Sequence, residues 1–441
     1  MQRIRSATAG GDAAAGTHWE EACAWARSGV VPLCGEPAGP PLLPPLGAAG
    51  RIAGVAGEIS RLTAMSGRPV GIRWEAALAG RATILGLARQ GRVSANGSCR
   101  LISAGDGDVA LNLPRPDDLS LIPALTADPD AEDAPWGAAA AMATGVRATD
   151  FVERARLLGL AASVAGERSR QECQPGEAPG GDLDRAYAAT PRGDRAAAGS
   201  RPPDTVVDLS SLWAGPVTAR VLAEAGAKVI KVEDASRQDA ARLRPEFYSW
   251  IHPATETTVR LDLTSPSGRQ RLRELLGTAQ VVIESSRPRA LEQMGLGPDQ
   301  IQPPEGQVWL AITAHGRSGP AREWTGFGDD AAVAGGLLCR AADGTRTFCG
   351  DAIADPVAGL VGAMAVLRCL GEGGGRLVDV SLSGAAAWAA GDGGPDPRDL
   401  GLTMDRSGSG WALRCDGLSE AIAEAPPTLD WIGQGVVEKE K

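Results

Sequence analysis

Apolar and polar positions change rhythm about halfway along the chain. From residue 205 onward, short apolar runs alternate with amphipathic stretches. TVVDL at 205–209 reads as a buried strand, and TARVLAEAG at 218–226 as a helix stopped by Gly226. AKVIKVE at 227–233 is a second strand. SPSGRQRLRELL at 265–276 has a Ser cap followed by Pro, the signature of a helix start. VVIES at 281–285 and QVWLAIT at 307–313 are further strands. Apolar strands separated by helices predict an α/β fold, a Rossmann-like parallel sheet with helices on its faces. Ligands of such sheets bind beyond the carboxyl ends of the strands. That places LWAGP (212–216), the segment after Glu233, SSRPR (285–289) and AHGRSGP (314–320) on one rim.

The first half is less regular. Residues 1–17 are small and polar and read as a flexible tail. Over 18–91, helical patches alternate with the Pro-rich GEPAGPPLLPPLGAAG. In 92–165, CRLIS and DVALNL predict two short strands around the turn AGDGD, and an Ala-rich helical region follows. Residues 166–203 carry few apolar positions and predict a flexible linker. The regular pattern covers 204–391, and 392–441 form a C-terminal extension. An internal repeat spans the two halves at a constant offset of 308 positions. It pairs Gly54 with Gly362, Leu62 with Leu370, Gly67 with Gly375, Arg68 with Arg376, Val70 with Val378, Ala77 with Ala385 and Ala79 with Ala387, without a gap. At the same offset Asp355 falls on Gly47.

Composition narrows the function classes. A net charge of -10 argues against a general nucleic-acid binder, which needs a basic face. Aromatics are only 4% of the chain, so its cores must be built from Ala, Val, Leu and Ile. No apolar run approaches the roughly 20 residues that span a bilayer. The N-terminus lacks the apolar centre of a signal peptide, and a cytoplasmic protein without membrane contact is expected. The 8 Cys are scattered without a C-x-x-C, and the 3 His do not cluster, so no metal site is expected.

DLSSLWAGPVTARVLAEAGAKVIKVE resembles the opening of family III CoA-transferases, the group that includes formyl-CoA and carnitine CoA-transferases. The likeness continues in order through VRLDLTSPSGRQRLRELL, VVIESSRPRALEQMGLG, AITAHGRSGP, GFGDDAAVAGGLL, IADPVAGLVGAMAVLRCL and GGGRLVDVSLSGAAA. The resemblance implies the family's Rossmann-like large domain. It also implies a smaller α+β domain, encoded here ahead of the large one and beginning at GSCRLISAGDGDVALNL. Residues 18–91 then read as a degenerate copy of the rear part of the large domain. Such an order implies a homodimer or a fused pseudo-dimer, since family members interlock in pairs.

The implied activity is acyl-CoA:carboxylate CoA transfer, in acyl-CoA, fatty acid or lipid metabolism. An acyl-CoA and a carboxylic acid acceptor would be the partners, and coenzyme A would enter as substrate with no permanently bound cofactor. Asp355 matches the family's nucleophile. A carboxylate suits this chemistry because it can carry CoA as its own thioester. Spacing alone fits a helix N-cap better, since Pro follows the Asp. The dipole of the helix that begins there is expected to keep Asp355 ionised. Asp351 is its nearest rival.

By resemblance, Leu212, Trp213, Ala214 and Gly215 lie over CoA and the thioester, with small residues that admit a ligand to the backbone. Their alternative is an ordinary strand-to-helix turn. Ser286 and Arg287 match the stretch that lines the nucleotide, Leu261 lies where backbone approaches adenine, and Arg242 is a second phosphate candidate. Thr264 and Gln293 stand where some relatives carry cationic CoA contacts. Phe327 stands where α-methylacyl-CoA racemases carry a His, which counts against a racemase, since that reaction needs two opposed acid/base groups. Asp329 is one place from the position where transferases carry a carboxylate, and His315 reads as a loop residue. A racemase or isomerase and a non-catalytic acyl-CoA-binding subunit are the alternative functions.

Overall fold

The computed structural model describes residues 12–168, 182–199, 202–252, 256–408 and 410–434. Its first part builds helices α1 (Asp12–Arg27), α2 (Ala48–Met65) and α3 (Trp74–Leu85), with strand β1 (Val70–Ile72) between the last two. Strands β2 (Cys99–Ser103) and β3 (Asp108–Asn112) pair antiparallel, Ser103 opposite Asp108, around the AGDGD turn. Helices α4 (Pro116–Leu119), α5 (Ile122–Thr126), α6 (Pro135–Thr144) and α7 (Ala148–Leu157) follow, and β4 (Ala161–Val164) returns to pair with β3. These elements enclose a small core of their own, with Val109, Leu111, Phe151, Val152 and Leu160 buried in it.

The second part supplies β5 (Ala188–Pro191), β6 (Thr205–Asp208), α8 (Ala214–Glu224), β7 (Lys228–Asp234), α9 (Pro245–Ile251), β8 (Thr257–Leu261) and α10 (Pro266–Thr278). It continues with β9 (Val281–Glu284), α11 (Pro288–Gln293), β10 (Val308–Thr313), α12 (Gly328–Ala334) and the hairpin β11 (Leu338–Arg340) and β12 (Arg346–Phe348). Then come α13 (Ala354–Gly371), β13 (Arg376–Ser381), α14 (Leu382–Ala390), the meander β14 (Thr403–Ser407), β15 (Gly410–Cys415) and β16 (Leu418–Ala421), and β17 (Ile432–Gln434).

Among the described residues the central sheet has seven strands in the order β5-β13-β10-β9-β6-β7-β8. All neighbours run parallel except β5, which is antiparallel to β13. Strand order reverses between β6 and β9, the switch point at which ligands collect in doubly wound folds. The Ser cap of α10 is present, with Ser265 Oγ accepting from the Gly268 N–H at 3.0 Å.

Several sequence expectations need correction. Residues 12–17, read as tail, belong to α1. Within the expected linker 166–203, residues 188–191 form an edge strand, because β13 still had a free row of backbone groups to pair; residues 169–181 and 200–201 lie outside the described residues. The Ala-rich region ends in a strand, since AASV completes the pairing of β3. Cys34, Cys339 and Cys349, far apart in sequence, come together in the core with their sulfurs all within 4.8 Å of one another.

Helix α13 is long and apolar enough to cross a membrane, yet it is buried within the protein. It packs against α8, α2 and α14. Glycines make the closest approach possible. A methyl group at Gly359 would lie 2.5 Å from the Ala214 carbonyl oxygen and 2.7 Å from Val217 Cβ, and Thr218 Oγ1 donates to the Gly359 carbonyl at 2.8 Å. The repeat is visible as matching elements. The order α2, β1, α3 parallels α13, β13, α14 at the offset read from the sequence. The strands have separated, however: β13 lies in the central sheet, whereas β1 pairs with β17.

Gly359→Val is expected to lower the unfolding free energy by about 1–3 kcal/mol through overpacking, measured by urea denaturation. Gly57→Ala is the matched control, on the exposed side of α2 where an added methyl meets nothing. It should be neutral or stabilising by up to about 1 kcal/mol.

Candidate active site

A helix that feeds a parallel strand begins at the carboxyl edge of the sheet. That geometry puts the first turn of α13 on the ligand-binding rim, and Asp355 is its second residue. Pro356 follows at a position where its missing N–H costs nothing. Ala352, just before the helix, has φ 42, a left-handed conformation that is strained for a residue with a side chain. Its N–H donates to Asp329 Oδ1 at 2.8 Å, which holds that conformation in place. The first turn of α12 faces the first turn of α13. Gly328 sits against both Asp355 Oδ2 and the Ala352 carbonyl, so a side chain there would overlap them. The bare backbone at position 328 is therefore part of how the site is built.

Four carboxyl groups meet at this junction: Asp329, Asp330, Asp351 and Asp355. Their counter-charge comes from the N-terminal half. Arg81 on α3 contacts Asp351 at 3.1 Å, and its guanidinium lies 5.2 Å from the centre of the Trp213 ring. Asn96 donates to Asp329 Oδ2 at 2.6 Å and to Asp351 Oδ1 at 3.2 Å. Asn112 donates to Asp330 Oδ1 at 2.8 Å, as does the Phe327 N–H at 2.9 Å. Among the described residues, none donates a hydrogen bond to the Asp355 carboxylate, so it is available to a ligand.

One arginine among three buried acids and the half-buried Asp355 leaves protons on some of them. Burial pushes Asp330 up to about 7, against its hydrogen bonds from Asn112 and Phe327. Burial also pushes Asp355 up to about 7, opposed by Arg81 and reinforced by the other three carboxylates. Asp329 is raised by burial and by the charge of Asp351, and Asp351 by burial against Arg81 and Asn96. The expectation that the helix dipole keeps Asp355 fully ionised is thus wrong in sign. Desolvation and like charges outweigh a dipole effect that is usually below about 1 kcal/mol.

The turn before α8 is anchored from beneath. Lys231 is fully buried and pairs with Asp208 at 3.3 Å and Asp239 at 3.4 Å. Burial acts to lower its pKa, but the two carboxylates prevail and hold it at about 12. Asp239 in turn accepts the Leu212 N–H at 3.0 Å, which fixes Leu212 at φ 69. Trp213 is buried edge-on against Phe247, with ring centres 5.6 Å apart, and its Nε1 has no hydrogen-bond partner among the described residues. Ala214 faces α13, and Gly215 is closed off by Ser210. Their small size thus also serves internal packing.

The remaining sequence candidates are spread along the rim. Arg242 is engaged by Glu233 at 2.8 Å and lies over the Tyr248 ring, centroid distance 4.2 Å. Arg287 is exposed at the start of α11, and Ser286 leans toward Glu284 at 3.4 Å. The Leu261 carbonyl is taken by the Ala235 N–H. His315 is buried, and burial lowers its pKa to about 3 with help from Arg156 and Arg168, so it is neutral. It lines a cavity of about 140 Å³ with Arg168, Arg185, Asp379 and Ser381 at the ends of β10 and β13.

Arg81, Asn96 and Asn112 were missed by sequence reasoning, because nothing local marks a residue that reaches a site some 250 positions away. The repeat offered one hint, since α3 is the copy of α14, which packs on α12. At the position equivalent to Asp355, Gly47 precedes α2 with φ 90, and Glu21 accepts the N–H groups of Gly47 and Gly50. A carboxylate therefore does cap the second helix, but it comes from α1.

An acid whose folded pKa is raised favours the fold when protonated. Its stabilising contribution is present below about pH 4 and is lost as pH rises through about 7. Asp355→Asn should therefore raise the unfolding free energy at about pH 8 by roughly 2 kcal/mol and change little at about pH 4, as read from urea midpoints at the two pH values.

Residues 204–398 match the family model described as CoA-transferase family III. The β subunit of succinyl-CoA–L-malate CoA-transferase from Chloroflexus aurantiacus is 32% identical over 192 residues, covering 40% of this chain and 47% of the relative. A probable fatty acyl-CoA transferase from Mycobacterium tuberculosis is 36% identical over 124 residues, covering 26% of this chain and 32% of the relative. Among solved structures, a hypothetical protein from Mycobacterium tuberculosis superposes with a TM-score of 0.41 at 27% identity, covering 50% of this chain and 65% of that one. A CaiB/BaiF family protein from Brucella suis gives 0.42 at 23%, covering 47% and 64%. The chain spans about half the length of the first two curated relatives it matches. The seven motifs read from the sequence and the match to the CoA-transferase family III model fall on the same stretch, residues 204–398, which also supplies six of the seven strands of the doubly wound sheet.

Proposed function

We propose that this protein is an acyl-CoA:carboxylate CoA-transferase in which Asp355 carries CoA covalently. The observation that supports this most is the placement of Asp355. It sits at the start of the buried helix α13, on the ligand rim, with a carboxylate that no described residue binds. In the first half-reaction an Asp355 oxygen attacks the thioester carbonyl. The C–S bond breaks, giving a mixed anhydride and free CoA thiolate. The thiolate then attacks the aspartyl carbonyl, releasing the donor carboxylate and leaving aspartyl-CoA. The acceptor carboxylate attacks that thioester and expels the thiolate. Attack of the thiolate on the acceptor acyl carbon then gives the new acyl-CoA and frees Asp355. The thioester bond is conserved throughout, and neither a metal nor ATP is needed.

Arg81 has two roles in this reading. It balances charge among four carboxylates, and by favouring ionised Asp355 it supplies more of the nucleophile near neutrality. The N-terminal half thus completes the site, as the smaller domain and partner of a fused pseudo-dimer would. Leu212, Trp213, Ala214, Gly215, Arg242, Leu261, Ser286 and Arg287 would border CoA along the rim, with Arg287 the most exposed phosphate contact. A cytoplasmic enzyme with no permanently bound cofactor goes with this reading.

Incubation with an acyl-CoA followed by hydroxylamine should convert Asp355 to its hydroxamate, detected by peptide mass spectrometry. Asp355→Ala should lose both the adduct and CoA transfer, by on the order of a thousandfold or more. Tight acyl-CoA binding without an adduct would leave a binding subunit instead. Exchange of the α-proton without transfer would indicate a racemase. The single-turnover rate should rise with pH through about 7 as Asp355 ionises. Arg81→Gln should move that midpoint upward, whereas a purely structural role for Arg81 would lower the rate without moving it. Gly328→Ala should depress the rate more than it depresses stability, since its methyl would displace the Asp355 carboxylate.

A further inference from the structure

Cys34, Cys339 and Cys349 come from three separate segments. Cys34 follows the short turn Val31–Leu33, Cys339 lies on β11, and Cys349 immediately follows β12. All three are buried, and their sulfurs lie within 4.8 Å of one another. A thiophilic ion bound at about 2.3 Å from each sulfur requires sulfurs roughly 4 Å apart. Among the described residues, no His or carboxylate joins the three sulfurs.

Cys34 Sγ donates to the Val30 carbonyl at 3.4 Å, so its sulfur is oriented within the cluster. Arg89 is held in place by the carbonyls of Pro32, Glu36 and Gly39. Val30 and Ile353 pack around Gly350, next to Cys349. Three buried cysteine sulfurs, joined among the described residues by no hard fourth donor, suit a soft ion content with three-coordination, and suit a four-coordinate ion poorly.

We propose that Cys34, Cys339 and Cys349 form a trigonal three-thiolate site for a soft monovalent cation of the copper(I) type. Binding would join the N-terminal segment to the loop 349–352, which carries Asp351 and leads into α13. It would thus clamp the backbone that presents the candidate active site without touching the reacting atoms. The proposal is independent of the transferase chemistry.

The test uses the full chain, reduced and anaerobic, titrated with copper(I) against bicinchoninate as a competing chelator. One ion per chain should be retained, with thiolate-to-metal charge-transfer absorption in the ultraviolet and three sulfur neighbours by X-ray absorption. Cys34→Ser and Cys339→Ser should each weaken retention by at least about tenfold, while Cys415→Ser, remote from the cluster, should leave it unchanged. Should the buried variants fail to fold, the unaltered chain still decides the matter: copper(I) must raise its thermal midpoint. No retained ion, retention unaffected in a folded Cys34→Ser chain, two sulfur neighbours, or a native disulfide between any two of the three residues would overturn the proposal.

Discussion

Burial of α13 is the constraint on which the rest of the structure depends. An 18-residue helix rich in Ala, Gly, Val and Leu can lose its apolar surface only by being covered on every side. The sheet covers one side, α8 a second, and α2 with α14 the remainder. Gly359 and Gly362 let α8 and β10 come close enough to do this, because neither position has room for a side chain. The connection rules of a parallel sheet then leave no choice of direction. Such a helix must begin at the carboxyl edge, so a carboxyl group in its first turn is delivered to the ligand rim and cannot retreat to bulk solvent.

That delivery has an electrostatic consequence. Asp355 arrives beside Asp329, Asp330 and Asp351, in a region dry enough to make each unit of charge costly. The arrangement is held by donors from the other half of the chain: Arg81 from α3, Asn96 from the loop before β2, and Asn112 at the end of β3. A folded large domain alone would leave three carboxylates facing one another without their partners. The N-terminal half is therefore part of the site as well as part of the fold. Lys231 plays a parallel role for the turn before α8, where two buried carboxylates keep one ammonium charged.

The two copies of the helix–strand–helix unit show how equal local structure can serve different ends. Both helices have an acid at their first turn, and both pack into the same core. In the copy near residue 47 the acid is Glu21, spent on capping α2. In the copy near residue 355 the acid belongs to the helix itself, and none of the described residues donates to its carboxylate. Function in this reading depends on which of two similar helix starts keeps an unshared carboxylate.

Much of this was legible in the order of residues. Strands at 205, 228, 281 and 308, the Ser265 cap, the hairpin around AGDGD and the repeat are all encoded by local periodicity or turn chemistry, which act over a few residues wherever the segment lies. The candidacy of Asp355 came from the motif around it. What the sequence could not specify depends on distant partners. Strands β4 and β5 exist because β3 and β13 had unpaired edges to offer, and Gly215 is small because Ser210 stands against it. Asp355 is raised to about 7 because burial and three neighbouring acids outweigh Arg81 and the start of its own helix. Three cysteines scattered over 315 positions become one cluster because their segments close on the same core. Hydrophobic rhythm is a short-range signal, whereas desolvation, charge coupling and close packing are sums over neighbours that only the folded chain brings together.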